Sequence, residues 1–120
     1  MASTTEVPRT QWVSFFDKLS HSHADELVRI EVLRRDTGAH LEVNDLPLDG
    51  ISADVAGDAT ITIEAGNPRD RHISHVISDP VSVRIARSSA GEDDALMIAD
   101  AEQTVTLVFF DEPISWPGRA

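Results

Sequence analysis

Two pairs of histidines and four arginines are the side chains whose type and spacing could do chemistry in this chain. His21 and His23 bracket a serine, His72 and His75 stand three apart, and Arg69, Arg71, Arg84 and Arg87 fall in two adjacent segments. Histidines that converge on one point can hold zinc, and beside carboxylates they would serve a metal-dependent enzyme. Guanidinium groups brought together would hold a carboxylate or phosphate ligand. Each reading depends on the elements that position the residues.

Residues 72–77 read as a strand, and side chains three apart on a strand face opposite ways. His72 and His75 therefore form a pair only across a bulge. His75 shares its face with Ile73 and Ile77, where a lone histidine is expected to be a hydrogen-bonded core or rim residue. His40 lies alone on another strand. His21 and His23 fall at the end of a helix, where positive charge is favoured and a polar cap is the simpler role. The arginines converge only if their two strands pair, and they could equally balance neighbouring Asp and Glu. The expected metal set is thus none, with His21, His23, His72 and His75 as the candidates.

Other chemistry has no motif to stand on. The carboxylates lack the oxygen-ligand spacing and central glycine of a calcium loop. Glu92-Asp93-Asp94 reads as a solvated loop tip. There is no Gly-x-Ser-x-Gly elbow, no glycine-rich phosphate loop, no cysteine and no tyrosine, and Lys18 is the only lysine. No catalytic residue and no cofactor is therefore expected.

The chain has 120 residues and a formal charge of -11. That length makes one domain with a single core. The charge opposes phosphate backbones and anionic lipid, so neither nucleic acid nor a membrane surface is an expected partner. No apolar run approaches the roughly 20 residues of a membrane span, and the start has no signal-like stretch. The lack of cysteine agrees with a cytoplasmic location.

The positioning elements are one helix and many strands. Trp12, Phe15, Phe16 and Leu19 fall at i, i+3, i+4 and i+7, one stripe of a helix from about Thr10, its expected N-cap, to Leu19. Period-two alternation then recurs: Val28, Ile30 and Val32; Leu41 and Val43; Ile61 and Ile63; Ile73, His75 and Ile77; Val81, Val83 and Ile85. Arg35-Asp36-Thr37-Gly38 reads as a four-residue loop that sets Ile30 against Val43 and Val32 against Leu41. Asp100-Ala101-Glu102-Gln103 sets Leu96 and Ile98 against Val105 and Leu107, with Phe109 on the same inner face. Asn44-Asp45 breaks a strand, with a short one following at 51–55, and Pro80 belongs at a strand start or bulge.

The expected fold is therefore α+β or mainly β. It is a curved antiparallel meander sheet or small barrel of seven to eight short strands, with the N-terminal amphipathic helix packed on it. As one domain over 1–120, it has a frayed 1–7, a helix in 8–20, strands in 25–110 and an irregular tail in 111–120. Within that tail Ile114 and Trp116 could dock back on the body.

Several phrases together resemble one family: Val7-Pro8-Arg9 with Trp12 and Phe15-Phe16, Leu46-Pro47-Leu48-Asp49-Gly50-Ile51, His75-Val76-Ile77 before Pro80, and Ala95-Leu96-Met97-Ile98 with 104–109. The chain is similar over nearly its whole length to a small, mainly bacterial domain-of-unknown-function family, number five-three-three-five. The resemblance implies a short stand-alone protein with no recorded activity and supplies no catalytic residues. Asp100-Ala101-Glu102 departs from the family's Asp-Gly turn.

Function is then unknown from sequence. The first expectation is a non-enzymatic cytoplasmic binding or accessory module, self-associating or meeting a protein partner through a sheet edge. The alternative is a small-molecule barrel whose helix is a lid and whose arginines anchor an anion. The metal-dependent enzyme is third.

Overall fold

The structure, a computed structural model, describes residues 4–67, 69, 71–87, 92 and 94–114. Its elements are β1 (Thr4–Val7), α1 (Trp12–Ser22), β2 (Leu27–Arg34), β3 (Gly38–Asp54), β4 (Thr60–Gly66), β5 (His72–Ser78), β6 (Pro80–Ala86), β7 (Ala95–Asp100) and β8 (Val105–Phe109). The strands form one sheet in the order β1-β6-β7-β8-β2-β3-β4-β5, every pair antiparallel. Two meanders, β2 to β5 and β6 to β8, are joined side by side where β2 pairs β8. The sheet is open, with β1 and β5 at its edges. Among the described residues no helix is long and apolar enough to cross a membrane.

The helix forms on the predicted stripe. Trp12, Phe15, Phe16 and Leu19 are its buried residues. A short 3-10 turn over Arg9–Gln11 precedes it, so the residue at the N-cap is Gln11, not Thr10, and the helix runs on to Ser22. The hydroxyl of Ser20 docks it on β3 by donating to the Ile51 carbonyl and accepting from the Ile51 amide, both at 2.9 Å. The core lies beneath: Val28, Ile30, Ile61, Ile63, Val83, Ile85, Leu96, Ile98 and Val108 meet the helix aromatics in one continuous cluster. The eight strands form an open sheet and do not close into the barrel given as the alternative.

Residues 4–7 depart from the frayed segment expected for 1–7, and residues 1–3 lie outside the described residues. Thr4–Val7 is a strand paired with β6. Its anchors come from elsewhere in the chain: the Trp12 indole N–H donates to the Val7 carbonyl at 2.9 Å, and Glu6 meets Arg84 across the ladder at 3.5 Å.

Both hairpin loops are one residue shorter than predicted. Arg34 pairs Gly38, which leaves three loop residues, and Gly38 takes a φ of 80°. In the β7–β8 hairpin, the Asp100 amide donates to the Thr104 carbonyl at 3.0 Å, and Gln103 carries a φ of 66°. The second is the three-residue loop whose last position is left-handed, whereas in the first the left-handed residue is Gly38, the first residue of β3. An odd loop inverts the parity of the strand that follows. Thr106, Val108 and Phe110 therefore face the core, and the prediction of Val105, Leu107 and Phe109 is corrected. In the first hairpin Val32 faces His40, while a register shift beyond Glu31 restores the predicted Ile30–Val43 pair and leaves Leu41 57 % exposed.

Gln103 holds a conformation that glycine adopts at no steric cost. Gln103→Gly is expected to stabilise the protein by about 0.5–1 kcal/mol, net of the added freedom of the unfolded chain. Urea unfolding of the variant checks it.

Two further differences concern strand irregularities. The predicted break at Asn44-Asp45 is an irregularity within one 17-residue strand, where Asp45 has a φ of 56°; β3 pairs β2 as far as Pro47 and β4 from Leu48. Pro80 opens β6 as expected, and the register shift after it turns Val81 outward at 60 % exposure. Ile114 is buried as predicted, and Trp116 lies outside the described residues.

Candidate functional site

A cleft of about 330 Å³ opens between β5 and the inner faces of β2 and β8. Val32, Arg34, His75, Asp100, Glu102 and Thr106 are among its lining residues. Alternation along β5 sends His75 inward beside Ile77, and the odd β7–β8 loop sends Thr106 inward to meet it. Thr106 is only 2 % exposed, and its hydroxyl lies 3.3 Å from His75 Nε2. Buried polar atoms are expected to pair in this way. One oxygen of Asp100 accepts from the Glu102 and Thr104 amides at 2.9 and 3.0 Å, which holds the turn that forms the rim.

Burial lowers the His75 pKa below the ordinary 6.5; Glu42 opposes the shift and Arg34 adds to it. Burial thus favours the neutral imidazole, which donates from one nitrogen and accepts at the other. Between 6.5 and the lower folded value the unfolded chain takes up a proton that the folded one refuses. His75 therefore withdraws stability as pH falls through that window and has no such effect above it. The expected result is that wild type loses more stability than His75→Gln between pH 7 and pH 5, read from paired urea titrations.

The edge of β5 beside this cleft is unpaired among the described residues. The hydrogen bonds flanking the β4–β5 ladder set its phase. Asn67 donates to the Arg71 carbonyl at 2.7 Å and Asp79 donates to the Ala59 carbonyl at 3.3 Å. Odd residues of β5 therefore bond to β4, and the amides and carbonyls of His72, Ser74, Val76 and Ser78 point to the open side. The strand keeps its register over all seven pairs, with no bulge, and contains no lysine, proline or carboxylate. The other edge, β1, is four residues long, carries the Glu6–Arg84 pair and is followed by Pro8. Edges are ordinarily blunted by such devices; β5 is nearly twice as long as β1 and has only the His72–Asp49 contact at its start and Pro80 beyond its end.

Gly66 sets where β5 begins. Its φ is 111°, and a Cβ there would collide with the Arg71 carbonyl.

The structure does not gather the four arginines. β5 and β6 follow one another through Asp79 but do not pair, so the premise for that cluster is not met. Arg69 and Arg71 sit exposed by the β4–β5 turn, and the Arg69 amide donates to Asn67 Oδ1 at 2.9 Å. Arg84 is balanced by Glu6 and reaches Thr4 Oγ1 at 3.4 Å, and Arg87 is exposed at the end of β6.

The histidines are separated as well. His72 points outward, 3.6 Å from Asp49, and His40 meets Thr37 at 2.9 Å. His21 is exposed, whereas His23 is buried against Phe110. Among the described residues no three His, Asp or Glu side chains lie close enough to hold a metal ion. Asp94, expected on a solvated loop tip, is 8 % exposed, and its carbonyl accepts from the Phe110 amide, which draws it into the body. Residues 88–91 and 93 of that loop lie outside the described residues.

Sequence reasoning passed over Glu26, Arg34 and Thr106. Thr106 turns inward because the β7–β8 loop is odd, and the residue type of Gln103 gives no sign of that. Glu26 pairs with His23 at 2.9 Å and accepts from the amides of Asp111 and Glu112 at 2.8 and 3.1 Å. Nothing local to Glu26 signals partners so far along the chain.

A family model described as a family of unknown function (DUF5335) matches residues 3–119. An uncharacterized protein of Aquifex aeolicus (strain VF5) is 28 % identical over 102 residues, which cover 85 % of this chain and 86 % of that protein. No solved structure matches the chain.

Proposed function

The chain belongs to the family of unknown function DUF5335, and from that starting point we propose that it is a cytoplasmic, non-enzymatic binding module whose contact surface is the open edge of β5. The partner is an extended protein segment that adds to the sheet as a ninth strand. The observation that carries this reading is the open edge: seven regularly paired residues without bulge, proline, lysine, arginine or carboxylate, on a body of charge -11. Main-chain hydrogen bonds would supply the affinity, and side chains entering the adjoining cleft the choice of partner. The net charge argues for a protein partner over a phosphate backbone. The cysteine-free composition supports the cytoplasmic placement.

Val76→Pro tests it. The Val76 N–H points away from β4, so proline removes an edge donor without removing a ladder bond, a placement that edge strands tolerate. Short peptides selected against the protein from a displayed library are expected to bind wild type and to lose about ten-fold or more in affinity for the variant. Selected peptides that bind both proteins alike would overturn the proposal.

A further inference from the structure

We infer, resting on that edge-strand reading, that the segment accepted by β5 carries a lysine or arginine at the position opposite Ile77. Paired residues on neighbouring antiparallel strands send their side chains to the same face. Partners of Ser74 and Val76 would point to solvent, and partners of His75 and Ile77 would point into the cleft. Asp79 lies two residues beyond Ile77 and its carbonyl accepts from the Ala101 amide at 3.0 Å, which brings Asp100 and Glu102 to that end of the cleft; Arg34 is the one permanent cation among the described lining residues. Asp79 and Glu102 are exposed and reachable. An incoming cation meets an excess of carboxylate there, and an incoming carboxylate meets repulsion.

The same geometry argues against a second copy as occupant. A copy of β5 would turn Ile73, His75 and Ile77 into the cleft, and none of these offers a permanent charge to the rim. Two bodies of charge -11 would also repel as they approached.

Two capped nine-residue peptides test the inference, one alternating threonine with lysine and the other threonine with glutamate. Binding is read by fluorescence anisotropy at physiological salt and by the amide resonances of Ser74 and Val76. The lysine peptide is expected to bind about ten-fold or more tightly than the glutamate peptide and to shift both amides. Asp79→Asn with Glu102→Gln should bring the two affinities together. Asp17→Asn with Asp45→Asn removes the same charge on the helix and at the β3 irregularity and should leave the preference intact. Equal binding of both peptides at the β5 amides overturns the inference while the edge reading stands. So does a preference for glutamate, or a preference erased by the Asp17/Asp45 pair. Failure of both peptides to bind, or binding that survives both Val76→Pro and Ser74→Pro, overturns the edge reading and the inference with it. Sedimentation that shows a dimer held through the Ser74 and Val76 amides makes a second copy the occupant and likewise ends the inference.

Discussion

Phe16→Ala and Trp12→Ala are each expected to lower the unfolding free energy by about 3–5 kcal/mol, the range for removing a large aromatic from a packed core. Phe16 is fully buried at 0 % exposure and meets Phe15 edge to face, with ring centroids 5.2 Å apart. Alanine there leaves a void between helix and sheet, whose backbone is held by the ladders and cannot close over it. Trp12 adds a directional bond, because its indole donates to the Val7 carbonyl and so ties β1 to the helix. Trp12→Phe separates the two contributions. It keeps an aromatic ring and is expected to cost less than alanine, yet it should free the amides of β1 for hydrogen exchange. Urea unfolding gives the free energies, with an unchanged slope showing that the same surface is exposed. Near-wild-type stability in Phe16→Ala would mean that the helix is not the sheet's cover.

The second large effect is expected at Glu26. Its carboxylate holds His23 through one oxygen and the amides of Asp111 and Glu112 through the other. It thereby fastens the segment that carries the buried side chains of Phe110 and Ile114. The two amides are exposed and can turn to water, whereas His23 is buried and would lose its partner. Glu26→Ala is expected to cost about 2–3 kcal/mol, in the range of one to two hydrogen bonds to a charged group. Glu26→Gln keeps a carbonyl acceptor and should cost about half as much. Amide exchange at Asp111 and Glu112 should rise in both variants, more in alanine. Unchanged protection in Glu26→Ala would show that the tail is held by its apolar side chains alone.

What could be read in advance was what depends on local periodicity. Val28, Ile30 and Val32, Ile61 and Ile63, and Val83 and Ile85 are buried as their spacing requires, and so is the helix stripe. The antiparallel sheet and its covering helix follow from those patterns. Parity across turns was not legible, because it depends on whether one loop residue turns left-handed. Gly38 announces that conformation by its type, and Gln103 does not. The misplaced face of β8 is the direct result. Residues 4–7 hold a single buried apolar side chain and acquire strand structure from Trp12 and β6, both beyond any local window. The cleft was hidden for the same reason: it needs Thr106 turned inward and β5 left at an edge. The order of strands in space decides the latter, and alternation is silent about it.

The way the two meanders are joined has a kinetic consequence. Hairpin contacts within 27–78 and within 80–109 close short loops and can form early. The pairing that unites them matches Arg29 with Phe109, and the one that adds β1 to the second matches Val7 with Val83, each across most of the chain's length. Chain closure over such distances is slow, and folding rates fall as contacts become less local. The pairing of β8 along β2 is therefore expected to form after the hairpins on either side of it.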